Sequence, residues 1–387
     1  MASILPPLSL YIHMPWCVRK CPYCDFNSHE SNTEIPKQAY INALIEDLQQ
    51  DLKYVQGRKI NSIFFGGGTP SLFSGQHYET LLRAIKQQVI FADDIEITLE
   101  ANPGTVERDL FSEYYAAGIN RLSIGIQSFS DAHLKTLGRI HNSQNSIEAI
   151  NSAFDAGFSQ VNIDLMHGLP QQNVEQALAD LQQAIDFSPA HLSWYQLTIE
   201  PNTVFYSTPP KLPAEELLID IQTEGQALLK QNGFQQYEVS AYAQSNTSSN
   251  TQCRHNLNYW EFGDYLALGA GAHGKISFAN GEVFRYQKTR LPKHYLDPKR
   301  IYSSQIEQIN QQDLPFEFML NALRLNNGFK EDLFQQRTGL ELQVIEAGLA
   351  RGEALGLLHR TDHRIKATPK GLLFLNDLIN LFLLPTR

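Results

Sequence analysis

The sequence predicts an α/β protein built on parallel strand–helix units, and three observations carry that prediction. Six short segments rich in β-branched and aromatic residues recur through the first half of the 387-residue chain. Between them lie amphipathic stretches with apolar residues at three- and four-residue intervals. Gly118 and Gly157 fall just past two of those stretches, where a left-handed helix cap belongs. Strands that are each but the last followed by a helix make right-handed βα units, so a barrel or partial barrel follows. A doubly wound open sheet is the alternative on pattern alone.

In order, the first strand is Leu8–Met14, followed by a cysteine-bearing loop and a helix over Ala39–Val55. The next four units pair Ser62–Phe65 with His77–Val89, Glu96–Glu100 with Val106–Ala117, Arg121–Ile126 with Ser146–Ala156, and Val161–Leu165 with Val174–Ile185. Leu192–Leu197 is the sixth strand. After Pro201 the rhythm breaks into a helix over Glu215–Asn232, a strand over Tyr237–Tyr242 and a polar loop over Gln244–Gln252. From Asp313 the pattern is helical: Pro315–Leu323, Phe329–Thr338 and Leu340–Arg351, then a hairpin over Leu357–Ala367 and a last helix over Pro369–Leu383. That order suits a small winged-helix-like module. The expected division is a barrel over 1–240, a connecting segment over 241–305 and a C-terminal helical domain over 306–387.

Composition narrows the class. Hydrophobic content of 42% and charged content of 19% are ordinary for a folded chain. A formal charge of −10 argues against nucleic acid as a partner, because phosphate binding wants a basic face. The first residues carry no basic region or long apolar run, so no secretory signal is expected. No apolar run approaches the about 18 residues of a spanning helix. A cytoplasmic location follows, where thiols stay reduced. The run Leu372–Leu384 is interrupted by Asn376, Asp377 and Asn380, so a helix packed on its own module is preferred to a membrane contact, which is at most peripheral. A homodimer is compatible with the sequence.

Cys17, Cys21 and Cys24, separated by three residues and then two, can turn toward one point from a single loop. Iron–sulfur cubes are normally held by four thiolates, so three imply a [4Fe–4S] cluster with one iron open to a chelating small molecule. The alternative is a structural zinc site completed by Cys253, although zinc sites usually come as two short ligand pairs. Gly66-Gly-Gly-Thr-Pro70 lets backbone approach a ligand without side-chain obstruction, or simply makes a tight turn at a strand end. Glu100, at a strand mouth, can accept bonds from an ammonium or a ribose hydroxyl. Asp164 interrupts an apolar strand, where an unpaired charge is costly. In Cys253-Arg-His-Asn-Leu-Asn-Tyr-Trp260, His255 offers an axial imidazole for haem iron between aromatic walls, or else only a loop hydrogen bond. Cys253 is also a candidate to cap the open iron. Gly263–Gly274 is a close-packing backbone segment.

Side by side, these segments resemble radical S-adenosylmethionine (SAM) proteins of the oxygen-independent coproporphyrinogen III oxidase family. The resemblance rests on Tyr11–Phe26, Phe65-Gly-Gly-Gly-Thr-Pro70, Ser123–Phe129, Leu137-Gly-Arg-Ile-His141 and Asn162–Pro170, and it spans nearly the whole chain. It implies a partial (β/α)6 barrel whose open side is covered by the C-terminal part. It further implies Cys17, Cys21 and Cys24 as cluster ligands, with SAM chelating the fourth iron. Tyr11, Tyr23, Gly67, Gly68, Thr69 and Glu100 match positions that hold SAM in the family. Gln127, Arg139 and Asp164 match positions that bind a second SAM in the oxidase. Two departures are Phe26, where the oxidase has one more cysteine, and the sixteen residues before Cys17, where it has an extended arm. Both are similar to the haem-chaperone branch, which lacks oxidase activity and carries a His-Asn-x-x-Tyr motif associated with haem. The expectation is a haem chaperone that binds haem, the cluster and SAM and delivers haem to acceptor haemoproteins, respiratory ones among them. A radical SAM decarboxylase of coproporphyrinogen III is the runner-up, and a zinc-clipped, non-catalytic barrel the third reading. Whether the chain is an enzyme stays open, and no residue is assigned to catalysis.

Overall fold

Strand β1 (Leu8–Met14) is buried along almost its whole length, as expected of a parallel strand covered on both faces. The computed structural model describes residues 5–31, 33–104, 108–245 and 251–383. The start of the helix expected over 106–117, the centre of the polar loop (246–250) and Leu384 lie outside the described residues. From β1 the sheet continues in sequence order through β2 (Ile60–Gly67), β3 (Phe91–Ala101), β4 (Arg121–Gln127), β5 (Gln160–His167) and β6 (His191–Gln196), all parallel. Helices Lys37–Asp51, Gly75–Gln88, Ser143–Asp155 and Val174–Asp186 connect successive strands. The last two begin at Asn142 and Asn173, each in a reciprocal capping box that satisfies orphan backbone N–H groups. Leu10, Ile12, Ile63, Phe65, Leu99, Ile124 and Leu165 are fully buried in the core between strands and helices.

The expected α/β class and partial (β/α)6 barrel are present. The sheet does not close: its twelve strands are β1 to β6 in order, continued past β6 by Ala241–Gln244 and then Phe234–Glu238, and past β1 by Asp264–Leu268, His273–Ser277, Val283–Lys288 and Ser303–Gln308. Beyond β6 the expected single strand over 237–242 is a hairpin, β7 (Phe234–Glu238) and β8 (Ala241–Gln244). The chain reverses at Val239–Ser240, where the Glu238 carboxylate accepts from the Ser240 N–H at 3.0 Å and its hydroxyl at 3.1 Å.

Beyond β1 the 241–305 stretch holds more than a connection. Helix Arg254–Trp260 is followed by β9 (Asp264–Leu268), parallel to β1, and then by antiparallel β10 (His273–Ser277), β11 (Val283–Lys288) and β12 (Ser303–Gln308). The C-terminal module pairs Phe329–Lys330 with Arg364–Ala367, and the latter with Leu358–Thr361, under helices Leu314–Ala322, Glu331–Thr338 and Glu346–Ala354. The helix expected over 329–338 thus starts as a strand. The last helix is broken at Phe374 into Pro369–Leu373 and Leu375–Asn380. Leu378, Ile379 and Phe382 are buried in this module's own core, so the terminal run packs on its module. No helix among the described residues is long and apolar enough to cross a membrane.

Candidate functional site

The cysteine loop leaves β1 at the carboxyl end of the parallel strands. A two-residue parallel bridge closes it, Trp16 opposite His29 and Cys17 opposite Glu30. Within it the Cys24 N–H donates to the Cys21 carbonyl at 3.1 Å, and the Lys20 ammonium to the Phe26 carbonyl at 3.0 Å. Pro22 seats the loop on its neighbours: its carbonyl accepts from the Phe205 N–H at 2.9 Å, and its ring packs where a side chain at Gly138 would collide.

The glycine run at the end of β2 works mainly by close approach. The Gly68 and Thr69 N–H groups donate to the Met14 and Trp16 carbonyls, both at 2.7 Å, and so hold the base of the cysteine loop. A Cβ on Gly68 would lie 2.6 Å from the Trp16 carbonyl oxygen. Gly67 has φ +112°, and a Cβ there would sit 2.4 Å from the His13 ring. Its N–H donates to Glu100 at 3.1 Å.

A cavity of about 690 Å³ opens under the loop. It brings together Cys17, Cys21 and Cys24 with every residue expected to hold SAM: Tyr11, Tyr23, Gly67, Gly68, Thr69, Glu100, Gln127, Arg139 and Asp164. Desolvation and the neighbouring Asp164 push the Glu100 carboxyl up to about 7. Asp164 accepts from the Ser123 hydroxyl at 2.9 Å and the Asn162 amide at 2.8 Å, yet desolvation still raises its pKa. Gln127, at φ +70°, accepts from the Tyr195 hydroxyl at 2.7 Å. Arg139 reaches the Cys21 sulfur at 3.5 Å, the Asn102 side-chain oxygen at 2.7 Å and the Gly125 carbonyl at 2.8 Å.

The donor set fits a [4Fe–4S] cube with SAM. The three sulfurs line one cavity, but among the described residues no three Cys, His, Asp or Glu groups converge tightly enough for a single metal ion. Three thiolates lining one cavity are the donor chemistry that a cube with one open iron requires. Beside them Arg139, which lines the cavity, carries a buried Nε without a hydrogen-bond partner, a cationic donor suited to an anion such as a carboxylate.

Cys253 is placed elsewhere, which removes both roles considered for it. Its thiol donates to Glu96 at 3.5 Å, and burial together with that carboxylate pushes it up to about 12. Glu96 precedes Glu100 by four strand residues, about 13 Å along β3, so Cys253 sits toward the opposite end of that strand from the cysteine loop. The zinc clip built from the triplet and Cys253 has no geometric basis.

His255 is 1% exposed, and both its ring nitrogens are engaged: Nδ1 with the Ser62 hydroxyl and Nε2 with the Tyr259 hydroxyl, each at 2.9 Å. Burial lowers its pKa to about 3. An axial bond at Nε2 therefore has to displace Tyr259. The backbone N–H groups of Arg254 and His255 donate to Glu96, each at 3.1 Å, which anchors the start of this helix. Asn102 and Tyr195, which hold Arg139 and Gln127, were not singled out from the sequence. Asn102 lay inside the Glu100-Ala-Asn-Pro strand end, a polar residue at a mouth, and that was its only signal.

Comparison with known proteins adds to this geometry. Residues 11–184 match the radical SAM superfamily, and residues 309–374 match the HemN C-terminal domain. The chain is similar to the heme chaperone HemW of Haemophilus influenzae, at 52% identity over 98% of each chain. It is 51% identical to the heme chaperone HemW of Escherichia coli, over 98% of this chain and 99% of that one. The solved coproporphyrinogen III oxidase (HemN) of Escherichia coli shares the fold, with a TM-score of 0.81 over 98% of this chain and 90% of that one, at 24% identity.

Proposed function

The chain belongs to the HemW family of radical SAM proteins, and from that premise we propose that it is a haem chaperone: it binds haem, a [4Fe–4S] cluster and SAM, and passes haem to acceptor haemoproteins. The observation that carries this reading is the 52% identity with a heme chaperone across 98% of both chains. Likeness to the coproporphyrinogen oxidase, at 24% identity, extends to fold alone.

Cys17, Cys21 and Cys24 are the proposed cluster ligands. A cluster held by these three thiolates would supply an electron-transfer centre, and the cavity they line would take SAM beside it. The chain's own part is to orient and shield. Arg139 offers its unpaired Nε to an anionic group, and Glu100 offers a carboxylate to a cationic or hydroxyl group. Tyr11, Tyr23, Gly67, Gly68, Thr69, Gln127 and Asp164 wall the same cavity. Respiratory haemoproteins are the proposed acceptors and the cytoplasm the proposed location.

Anaerobically reconstituted protein, titrated with haem and then mixed with an apo-haemoprotein, tests the reading. The expected result is a Soret band on haem addition, followed by its transfer to the acceptor. Consumption of coproporphyrinogen III with release of 5′-deoxyadenosine would overturn it in favour of the oxidase.

A further inference from the structure

A second cavity, of about 620 Å³, adjoins the first and shares Tyr11, Phe26, Gly67, Glu100, Tyr259 and Trp260 with it. That volume falls within the range of pockets that bury a sizeable ligand. It lies where β10 and β11 of the sheet extension meet helix Arg254–Trp260 and the loop after the cysteine triplet.

Three features of its lining belong together. Tyr259, Trp260 and Tyr265 give it aromatic walls, and Phe26 stands at its edge with 59% of its surface exposed. His273, the first residue of β10, is exposed on this cavity, and its ring makes no hydrogen bond among the described residues. Burial, Arg285 and Arg290 all lower its pKa. Arg285 and Arg290 line the same cavity; Arg290 has no carboxylate partner among the described residues, and Arg285 is held by Tyr265 and Glu317. Trp260 adds a buried indole N–H without a partner.

Resting on the haem-chaperone reading, we propose that this second cavity is the haem site, with His273 as the axial ligand to iron and Arg290 receiving a propionate. A flat macrocycle suits aromatic walls, and a carboxylate suits a guanidinium group with no carboxylate partner of its own among the described residues. His255, with both nitrogens bonded inside the barrel, then shapes the wall through Tyr259 and leaves the iron to His273. The shared lining places the bound haem against the SAM cavity, with Tyr11 and Glu100 between them.

The test uses cluster-loaded protein with SAM, titrated with haem and, separately, with iron-free protoporphyrin IX. His273→Ala is expected to weaken haem binding at least about ten-fold, the scale on which even outer partners of metal ligands act. It should also shift the Soret band, leave iron–sulfur content unchanged and regain the wild-type spectrum with added imidazole. Protoporphyrin binding, which needs no axial ligand, should survive His273→Ala and weaken in Arg290→Glu. His255→Ala should keep the wild-type Soret position. Wild-type haem affinity and spectrum in His273→Ala would overturn the site while leaving the chaperone reading intact. Absence of any Soret band in the wild-type protein would instead overturn the chaperone reading. Should His273→Ala fold poorly, the isosteric His273→Gln removes the ligand nitrogen at an exposed position and reads out the same way.

Discussion

Among the described residues Glu100 is held in the cavity by one backbone N–H and by no cation, so its ionisation is costly. With its carboxyl raised from 4.5 to about 7, the folded chain keeps a proton that the unfolded chain sheds. The resulting stability is fully present below about pH 4.5 and is lost as pH rises through about 7, a change of about 3 kcal/mol. Asp47 and Asp180, both raised by burial to about 6, slope the same way, so the comparison with Glu100→Gln isolates this residue. Urea unfolding of the metal-free protein at several pH values from 4.5 to 8 should show a shallower decline in the variant; an unchanged slope would rule the account out. Gly67→Ala meets both a positive φ and the His13 ring, and should cost of order 2 kcal/mol in thermal unfolding. At this scale the sequence was informative where a residue type clashed with its pattern. Asp164 stood out as a carboxylate in an apolar strand and Glu100 as one at a strand mouth. Asn27 carried no such contrast, because the Ala270 and Arg290 carbonyls it bonds lie 243 and 263 residues further along the chain.

The cysteine loop shows how one such residue joins elements. Asn27 donates from its amide to the Ala270 and Arg290 carbonyls, both at 2.9 Å, while its own carbonyl engages His13 at 3.0 Å. A Cβ on Gly271 would overlap that amide, so the glycine-rich turn before β10 is shaped around it. Asn27→Ala leaves two carbonyls unpaired, at a cost of about 1–2 kcal/mol. The loop should then release its cluster to a chelator faster than wild type, followed by loss of the brown absorption; equal rates would show that the tie does not hold the loop. The parallel strands were legible because burial on both faces makes near-continuous apolar runs. Strands β9 to β12 were not. The Gly263–Gly274 stretch hides the first pair, and Ser303–Gln308 is polar and mostly exposed, with neither period to announce it. The 237–242 segment was legible as a strand but not as a hairpin, since a Glu238 side-chain bond and not a glycine turn reverses it.

Across the whole molecule, the barrel and the C-terminal module were both legible as units, but the sheet that continues past β1 was not, and that extension builds the second cavity. One buried cation fastens it to the barrel. Lys288, the last residue of β11, reaches Asp47 at 2.6 Å and Asp51 at 2.7 Å on helix Lys37–Asp51, and all three side chains are essentially shut off from solvent. The Tyr295 hydroxyl also donates to Asp47 at 2.6 Å, which shares out the remaining lone pairs. A single ammonium facing two carboxylates leaves an excess negative charge, consistent with burial raising both Asp47 and Asp51. Lys288→Met takes away the cation that bonds both carboxylates and strands them in the interior, which should destabilise the fold by about 3–5 kcal/mol at pH 8. The deficit should shrink toward pH 5 as the carboxylates take up protons, and adding Asp47→Asn and Asp51→Asn to the variant should recover much of it. Because the extension hydrogen-bonds directly to β1, unfolding should stay a single transition followed by intrinsic fluorescence and by far-UV circular dichroism alike. A separate early transition in Lys288→Met would mean that the extension melts on its own. A loss below about 1 kcal/mol, the scale of an exposed ion pair, would mean that this cluster does not join the second cavity's wall to the barrel.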